Sequence, residues 1–206
     1  MLTKFKLSIL TGCLSTGIFC LLISACNNND HTGQSTPVSH DQVVERGKYL
    51  VSAMGCNDCH TPMKMTAMGP VPDSSHFLSG VPQQDSVISP FTAEEIALIK
   101  QGGMIAVPPG GAFAGGWGIS FPANITPDST TGIGGWTATI FTNVFRLAKF
   151  QGIPSGRPLM PPMPQPAYNN LTDEDLHAIF AYLQTIPAIQ NRVPSYIPFN
   201  QIAVKR

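Results

Sequence analysis

The distribution of cysteines is the feature that most constrains how this chain can fold. Five cysteines occur in 206 residues, and three of them lie within the first 26. Only Cys56 and Cys59 remain beyond that point, so the folded part cannot rely on a disulfide framework. The two thiols are separated by two residues and stand directly before His60. Such a pair indicates a specific chemical role for the two thiols.

The segment Cys56-Asn57-Asp58-Cys59-His60 fits the C-x-x-C-H pattern of c-type haem attachment. In that chemistry the two thiols add to the two vinyl groups of the porphyrin and form thioethers. The imidazole that follows is then held beneath the iron as its proximal ligand. The spacing therefore predicts one covalent haem c, bound through Cys56 and Cys59, with His60 as an iron ligand.

Three other interpretations of the cysteine pair remain open. A C-x-x-C pair can be a thioredoxin-like redox pair, which requires a β-α-β context that this sequence does not strongly indicate. It can be half of a zinc site, although no second cysteine pair follows and the other histidines are scattered. A chance match is the third. The export signal described next favours haem attachment over all three.

The first 25 residues have the pattern of a secretory signal. Lys4 and Lys6 form a short basic region, and residues 7–25 carry no charge and are mainly apolar. The small residues Ser24 and Ala25 directly before Cys26 resemble the lipobox of bacterial lipoproteins, in which the cysteine is acylated. The alternative is an uncleaved transmembrane anchor, since a span needs about 20 apolar residues.

Either interpretation tethers a folded domain to a membrane, outside the cytoplasm. We predict a lipoprotein signal peptide at 1–25, lipidation at Cys26, a flexible linker at 26–40 and a cytochrome c domain at 41–206. The linker is rich in Asn, Gly, Ser and Thr. The location expected from this organisation is the bacterial cell envelope, facing the periplasm or the exterior.

Composition restricts the partners and the style of fold. Twelve basic residues balance twelve acidic ones, and the absence of a basic surplus argues against a nucleic-acid partner. Nineteen glycines and nineteen prolines predict short helices joined by long, tightly turned loops. Apolar residues at helical spacing predict four helices, at 41–54, 93–101, 137–150 and 172–185.

This order of helices resembles class I cytochrome c. Several segments of the second half look like the cytochrome c domains of bacterial alcohol and aldehyde dehydrogenases, namely 124–128 (NITPD), 131–136 (TGIGGW), 161–164 (PPMP), 171–176 (LTDEDL) and 181–183 (AYL). The resemblance implies an all-α cytochrome c fold, with Gly/Pro-rich loops wrapped around the haem. It also implies a close crossing of the first and last helices, for which Gly47 and Tyr182 are the candidates. With one attachment motif, the chain resembles a single-haem relative.

The sixth iron ligand is the least determined part of the site. The family pattern places it in a Met-Pro step before the terminal helix, which matches Met163-Pro164. Met160 competes, and a histidine or an open position is a further alternative. Met63, Met65 and Met68 lie too close to His60 in sequence to reach the opposite face easily. The remaining histidines of the predicted domain, His76 and His177, are expected at the surface.

The resemblance implies a single-electron carrier and not an enzyme. It would pass electrons between a dehydrogenase or quinol-oxidising partner and a downstream acceptor such as a terminal oxidase. An open sixth position would instead favour a haem enzyme (a peroxidase or a small-molecule reductase) or a haem-based gas sensor. Asn124, Trp136 and Arg157 are candidate donors to the haem propionates, and each could equally be a loop-packing residue.

Overall fold

The computed structural model describes residues 37–86, 88–107 and 111–205. The predictions for the signal segment, most of the linker and Cys26 lie outside these residues. None of the helices in the described ranges is both long enough and apolar enough to cross a membrane.

Six α-helices and six β-strands occur in the described ranges. The helices are α1 (His40–Ala53), α2 (Cys56–His60), α3 (Ala93–Lys100), α4 (Ala138–Arg146), α5 (Gln165–Tyr168) and α6 (Asp173–Leu183). The strands are β1 (Met63–Thr66), β2 (Gly69–Pro72), β3 (Ile105–Val107), β4 (Ala112–Gly115), β5 (Gly118–Ser120) and β6 (Ile197–Pro198).

The prediction of an all-α cytochrome c fold is wrong. β1 and β2 form an antiparallel hairpin, and β3, β4, β5 and β6 form a four-stranded antiparallel sheet in that order. The fold is therefore mixed. Strands of two to four residues are too short to show an alternating pattern, and the glycines and prolines within them are depleted in strands generally.

The four predicted helices correspond to α1, α3, α4 and α6, and their first residues follow local capping signals, although α4 ends at Arg146, four residues before the predicted end at 150. α1 begins after Ser39, whose hydroxyl and backbone N–H exchange hydrogen bonds with Gln42 in a capping box. α3 begins after Thr92, which forms the same reciprocal pair with Glu95. α6 has only half of a box, since Thr172 accepts from the Asp175 backbone while the Asp175 carboxylate pairs with Arg46 at 2.9 Å.

The close crossing of α1 and α6 at Gly47 is confirmed. A Cβ at Gly47 would lie 1.9 Å from the Ala178 carbonyl oxygen and 2.8 Å from the Tyr182 Cβ. Only glycine permits this approach, so the cost of glycine inside a helix is repaid by tight packing between the two helices.

Two hydrophobic cores stabilise the described chain. The first core lies among α1, α4 and α6, and its buried members include Leu50, Phe141, Leu176, Ile179 and Leu183. The second core packs the four-stranded sheet against α3 and is smaller; its buried members are Phe91, Ile99, Val107, Ala112, Ala114 and Ile119.

Candidate functional site

The predicted attachment residues lie together on one short helix. α2 carries Cys56, Cys59 and His60, and it follows α1 after a sharp turn at Gly55, whose φ of 68° is left-handed. Both thiols are free and half-buried. Cys56 packs against the first core, so the start of the motif is anchored in the best-packed part of the molecule.

Burial suppresses the acidity of both thiols. It raises the pKa of Cys56 to about 11, with smaller contributions from Cys59 and Asp58. Burial and then the negative charge of Asp58 also raise the pKa of Cys59. A reactive dithiol pair works through a lowered thiol pKa. The environment of this pair therefore disfavours the thioredoxin-like alternative.

The His60 imidazole is oriented by a backbone carbonyl. Its Nδ1 lies 2.8 Å from the Ala123 oxygen, and an N–H at Nδ1 would donate to that oxygen. This assignment leaves Nε2 as a lone-pair donor, which is the arrangement that metal-ligating histidines usually adopt. Desolvation lowers the pKa of His60 and favours the neutral ring that can bind a metal.

Gly80 makes this histidine contact possible. A Cβ at Gly80 would lie 2.6 Å from both the Pro122 oxygen and the Ala123 carbonyl carbon, and its φ of 75° is left-handed. The Gly80 N–H donates to the His60 carbonyl at 2.7 Å. Gly80 thus lets the loop segment at Ala123 approach the His60 ring. Its own N–H also binds the His60 backbone carbonyl.

The segment that carries Met163 is fixed at both ends. On one side the Ser120 hydroxyl of β5 donates to the Pro161 carbonyl at 2.6 Å. On the other side the Gln165 side chain donates to the Phe145 carbonyl at 2.8 Å, and the Tyr168 hydroxyl donates to the Met54 carbonyl at 3.0 Å. Burial raises the pKa of Tyr168 to about 12, which keeps this donor protonated.

Met163 is partly buried and packs against the first core, the same core that Cys56 contacts. Met160 is also partly buried, but it is not among the residues packed on that core. Its carbonyl accepts from the Met163 N–H at 3.3 Å. Of these two methionines, Met163 is therefore the one that shares a core with Cys56.

The remaining candidates lie away from this arrangement. Met63, Met65, Met68 and Met104 are exposed, as are His76 and His177. The surface positions predicted for the two histidines are thus confirmed. Within the described ranges, no three His, Cys, Asp or Glu side chains are grouped so as to hold a metal ion.

Comparison with known proteins gives this geometry a context. No family model matches the chain. The fructose dehydrogenase cytochrome subunit of Gluconobacter japonicus is 31% identical over 167 residues, which cover 80% of this chain and 26% of that protein. The gluconate 2-dehydrogenase cytochrome c subunit of Pantoea cypripedii is 30% identical over 165 residues, 78% of this chain and 27% of that protein.

A shorter match concerns the cytochrome c subunit of a quinone-dependent alcohol dehydrogenase from Komagataeibacter europaeus. It is 40% identical over 80 residues, 35% of this chain and 16% of that protein. The chain is a homologue of the cytochrome c subunits of bacterial dehydrogenases. It spans about a quarter of the length of the fructose dehydrogenase and gluconate 2-dehydrogenase subunits. The homology supports haem c as the cofactor and an electron-transfer role.

In this cytochrome c homologue, two of the suggested propionate donors have other partners. The Asn124 amide donates to the Ile189 carbonyl at 2.8 Å, and its oxygen accepts from the Thr126 hydroxyl at 2.7 Å. Asn124 is buried, so these bonds satisfy a group that would otherwise be costly. The Arg157 guanidinium lies 4.2 Å from the centre of the Phe150 ring. Loop packing accounts for both residues.

Sequence reasoning missed the contributions of Ala123, Gly80 and Ser120. Ala123 acts through its backbone oxygen, for which no side-chain signal exists. Gly80 was one of nineteen glycines, and only the approach of a distant segment distinguishes it. Ser120 lies in a strand that was not predicted.

Proposed function

We propose that this domain carries one covalently attached haem c, which Cys56 and Cys59 would bind and whose iron His60 and Met163 would ligate. When bound, the haem would supply an iron that cycles between the ferrous and ferric states, and the domain would act as a single-electron carrier. The observation that carries the proposal is the hydrogen bond from His60 Nδ1 to the Ala123 carbonyl. It holds the imidazole in the tautomer that an iron ligand needs.

The chain's own residues would perform three tasks in this site. Cys56 and Cys59 would provide two neutral thiols three residues apart on α2, available for thioether formation. Ala123 orients His60 and raises the basicity of its free nitrogen. Ser120, Gln165 and Tyr168 fix the segment that presents Met163. A preordered ligand loses little conformational freedom on binding.

Ligation by His60 and Met163 has a functional consequence. A thioether ligand raises the reduction potential relative to ligation by two nitrogen bases. If Met163 ligates the iron, that iron would have no free coordination site for a peroxidase or gas-sensor reaction. These points favour an electron carrier over a haem enzyme or sensor.

The relatives and the N-terminal sequence support a proposal for the partners and the location. We propose a dehydrogenase or quinol-oxidising complex as the electron donor, a downstream acceptor such as a terminal oxidase, and attachment to a membrane of the bacterial envelope through a lipid on Cys26. Isolation of the tethered protein from membranes, followed by identification of co-purifying subunits, tests the partner. Mass spectrometry of the mature N-terminus tests the lipid.

The ligand assignment is tested by paired methionine variants. Met163→Ala should abolish the methionine-to-iron charge-transfer absorption of the ferric protein and allow carbon monoxide to bind the reduced protein rapidly. Met160→Ala is the matched control and should leave both properties unchanged. Retention of the absorption band in Met163→Ala, or its loss in Met160→Ala, would overturn the assignment.

A further inference from the structure

The hairpin directly after α2 exposes three methionines. β1 and β2 are joined by a two-residue turn at Ala67 and Met68. Met63, Met65 and Met68 are 37%, 72% and 96% exposed, respectively. Methionine usually fills gaps in cores. That role does not apply to side chains as exposed as those of Met65 and Met68, so their sulfur atoms require another explanation.

We propose that Met63, Met65 and Met68 form a binding site for a soft monovalent cation of the copper(I) class, held by three thioether sulfurs. Soft thioether ligands select copper(I) over the hard cations that prefer carboxylates and water. The site is separate from Met163 and from the haem attachment residues. Binding involves no electron exchange, because the ion enters and remains in its +1 state.

The pleat of the hairpin brings two of the sulfurs to one face. Met63 and Met65 are two residues apart on β1, so their side chains leave the same side of the strand. The residues directly opposite them on β2 are Pro72 and Pro70. Neither proline has a polar side-chain atom or a backbone N–H. The two thioethers are therefore the only side-chain metal ligands among these four paired residues.

The turn presents the third sulfur from a fixed backbone. The Met68 N–H donates to the Thr66 hydroxyl at 3.2 Å, and that hydroxyl donates to the Gly69 carbonyl at 2.7 Å. The backbone at Met68 is thus held while its side chain is free. An unbranched side chain with three rotatable bonds can then turn toward the sulfurs of Met63 and Met65.

The one cationic residue of the hairpin at 63–72 leaves the strand on the opposite face. Lys64 stands between the two methionines in sequence, so it leaves the opposite side of β1. Its ammonium lies 3.2 Å from the Asp73 carboxylate. This pairing offsets the positive charge of Lys64, which would otherwise repel an incoming cation.

The test uses the haem-loaded protein with its methionine methyl groups labelled with carbon-13. Silver(I) nitrate in chloride-free buffer serves as a probe of the same softness that does not change oxidation state. We expect stoichiometric addition to shift the methyl signals of Met63, Met65 and Met68 and to leave those of Met104 and Met163 in place. Equal shifts at Met104, which is 50% exposed, would overturn the proposal.

Leucine variants separate metal binding from a merely apolar role. In competition with a copper(I) chelator, Met65→Leu and Met68→Leu should each weaken binding on the order of tenfold. Met104→Leu is the matched control and should not change it. Leucine preserves the apolar surface, so unchanged copper(I) affinity in the hairpin variants would overturn the site. The methyl signals report on this site even if haem ligation proves different, so the two proposals can fail separately.

Discussion

The helical and the strand-rich regions of this molecule are specified in different ways. The helical region comprises α1, α4 and α6 around the first core, and each helix begins at a residue whose hydroxyl caps it. The strand-rich region comprises α3 and β3–β6 around the second core, and its strands are two to four residues long. Local sequence determines the first region, whereas pairing between distant segments determines the second.

The candidate site draws on both regions. Cys56 and Met163 pack against the first core, while Ser120 of the four-stranded sheet binds the segment that carries Met163. The difference between the regions therefore has a functional meaning. The helical region anchors the start of the C-x-x-C-H motif, and the sheet holds the segment that carries Met163, the proposed second ligand.

The largest effect is expected from filling the helix crossing. In Gly47→Ala the new methyl would collide with the Ala178 carbonyl oxygen at 1.9 Å, so α1 and α6 must separate. Overpacking of this kind should lower the free energy of unfolding by about 3 kcal/mol. Urea unfolding followed by circular dichroism measures the change.

The matched control is Gly116→Ala, in the turn between β4 and β5. A Cβ at Gly116 meets no atom within 4 Å, and its φ is not left-handed. This variant should have nearly unchanged stability. If Gly47→Ala were equally silent, the crossing would not be the main determinant of the helical region.

A comparable clash in the sheet should cost less. In Gly118→Ala the methyl would lie 2.1 Å from the Ile197 carbonyl oxygen, at a φ of 116° that is strained for alanine. Because β6 has only two residues, it can detach without disrupting α1 or α6. We expect a loss of about 2 kcal/mol.

Hydrogen exchange distinguishes local from global damage in Gly118→Ala. Protection should fall at β5 and β6 and persist in α1 and α6. A uniform loss of protection across both regions would mean that they unfold as one unit and would break the distinction between them.

The sequence allowed prediction of the helical region because its signals are short-range. The apolar stripe of 172–185 and the cap at Thr172 each depend on residues within a few turns. The crossing at Gly47, a contact between distant segments, was expected from the resemblance to class I cytochrome c. The sheet could not be predicted in this way. β5 is Gly-Ile-Ser and pairs with β6 almost eighty residues later, so its conformation follows from contacts that no local pattern records.

The same division applies to the candidate site. The motif at 56–60 and the Met-Pro step at 163 can be recognised in the sequence alone. In the structure, Cys56 and Met163 both pack against the first core. The carbonyl of Ala123 is not visible, because every residue has such an oxygen. Its role depends on how closely Gly80 lets the chain at 122–124 approach.

Two threonine caps provide a smaller test of the comparison. Thr172→Ala removes the hydroxyl that accepts from the Asp175 N–H of α6, and Thr92→Ala removes the corresponding bond to Glu95 in α3. Each loss should cost about 1 kcal/mol, and serine should restore it.

α6 has five buried residues and α3 has one. Thr172→Ala should therefore lower global stability, while Thr92→Ala should mainly increase hydrogen exchange within α3. The reverse pattern would contradict the assignment of the dominant core.

The smallest effect concerns acid, and it acts on the loop that joins the two regions. Asp128 accepts hydrogen bonds from Thr131 and Thr130, which lower its pKa to about 2 from 3.8. Because the folded state binds the proton less tightly than the unfolded state, the carboxylate stabilises the fold above pH 3.8. That contribution is lost as the pH falls toward about 2.

Asp128→Asn can keep the same acceptor oxygen without the charge. It should be slightly less stable than the parent at neutral pH, and the difference should vanish at the acid end of a urea–pH series. A stability difference that stayed constant down to pH 2 would show that the charge of Asp128 does not stabilise the loop that joins the two regions.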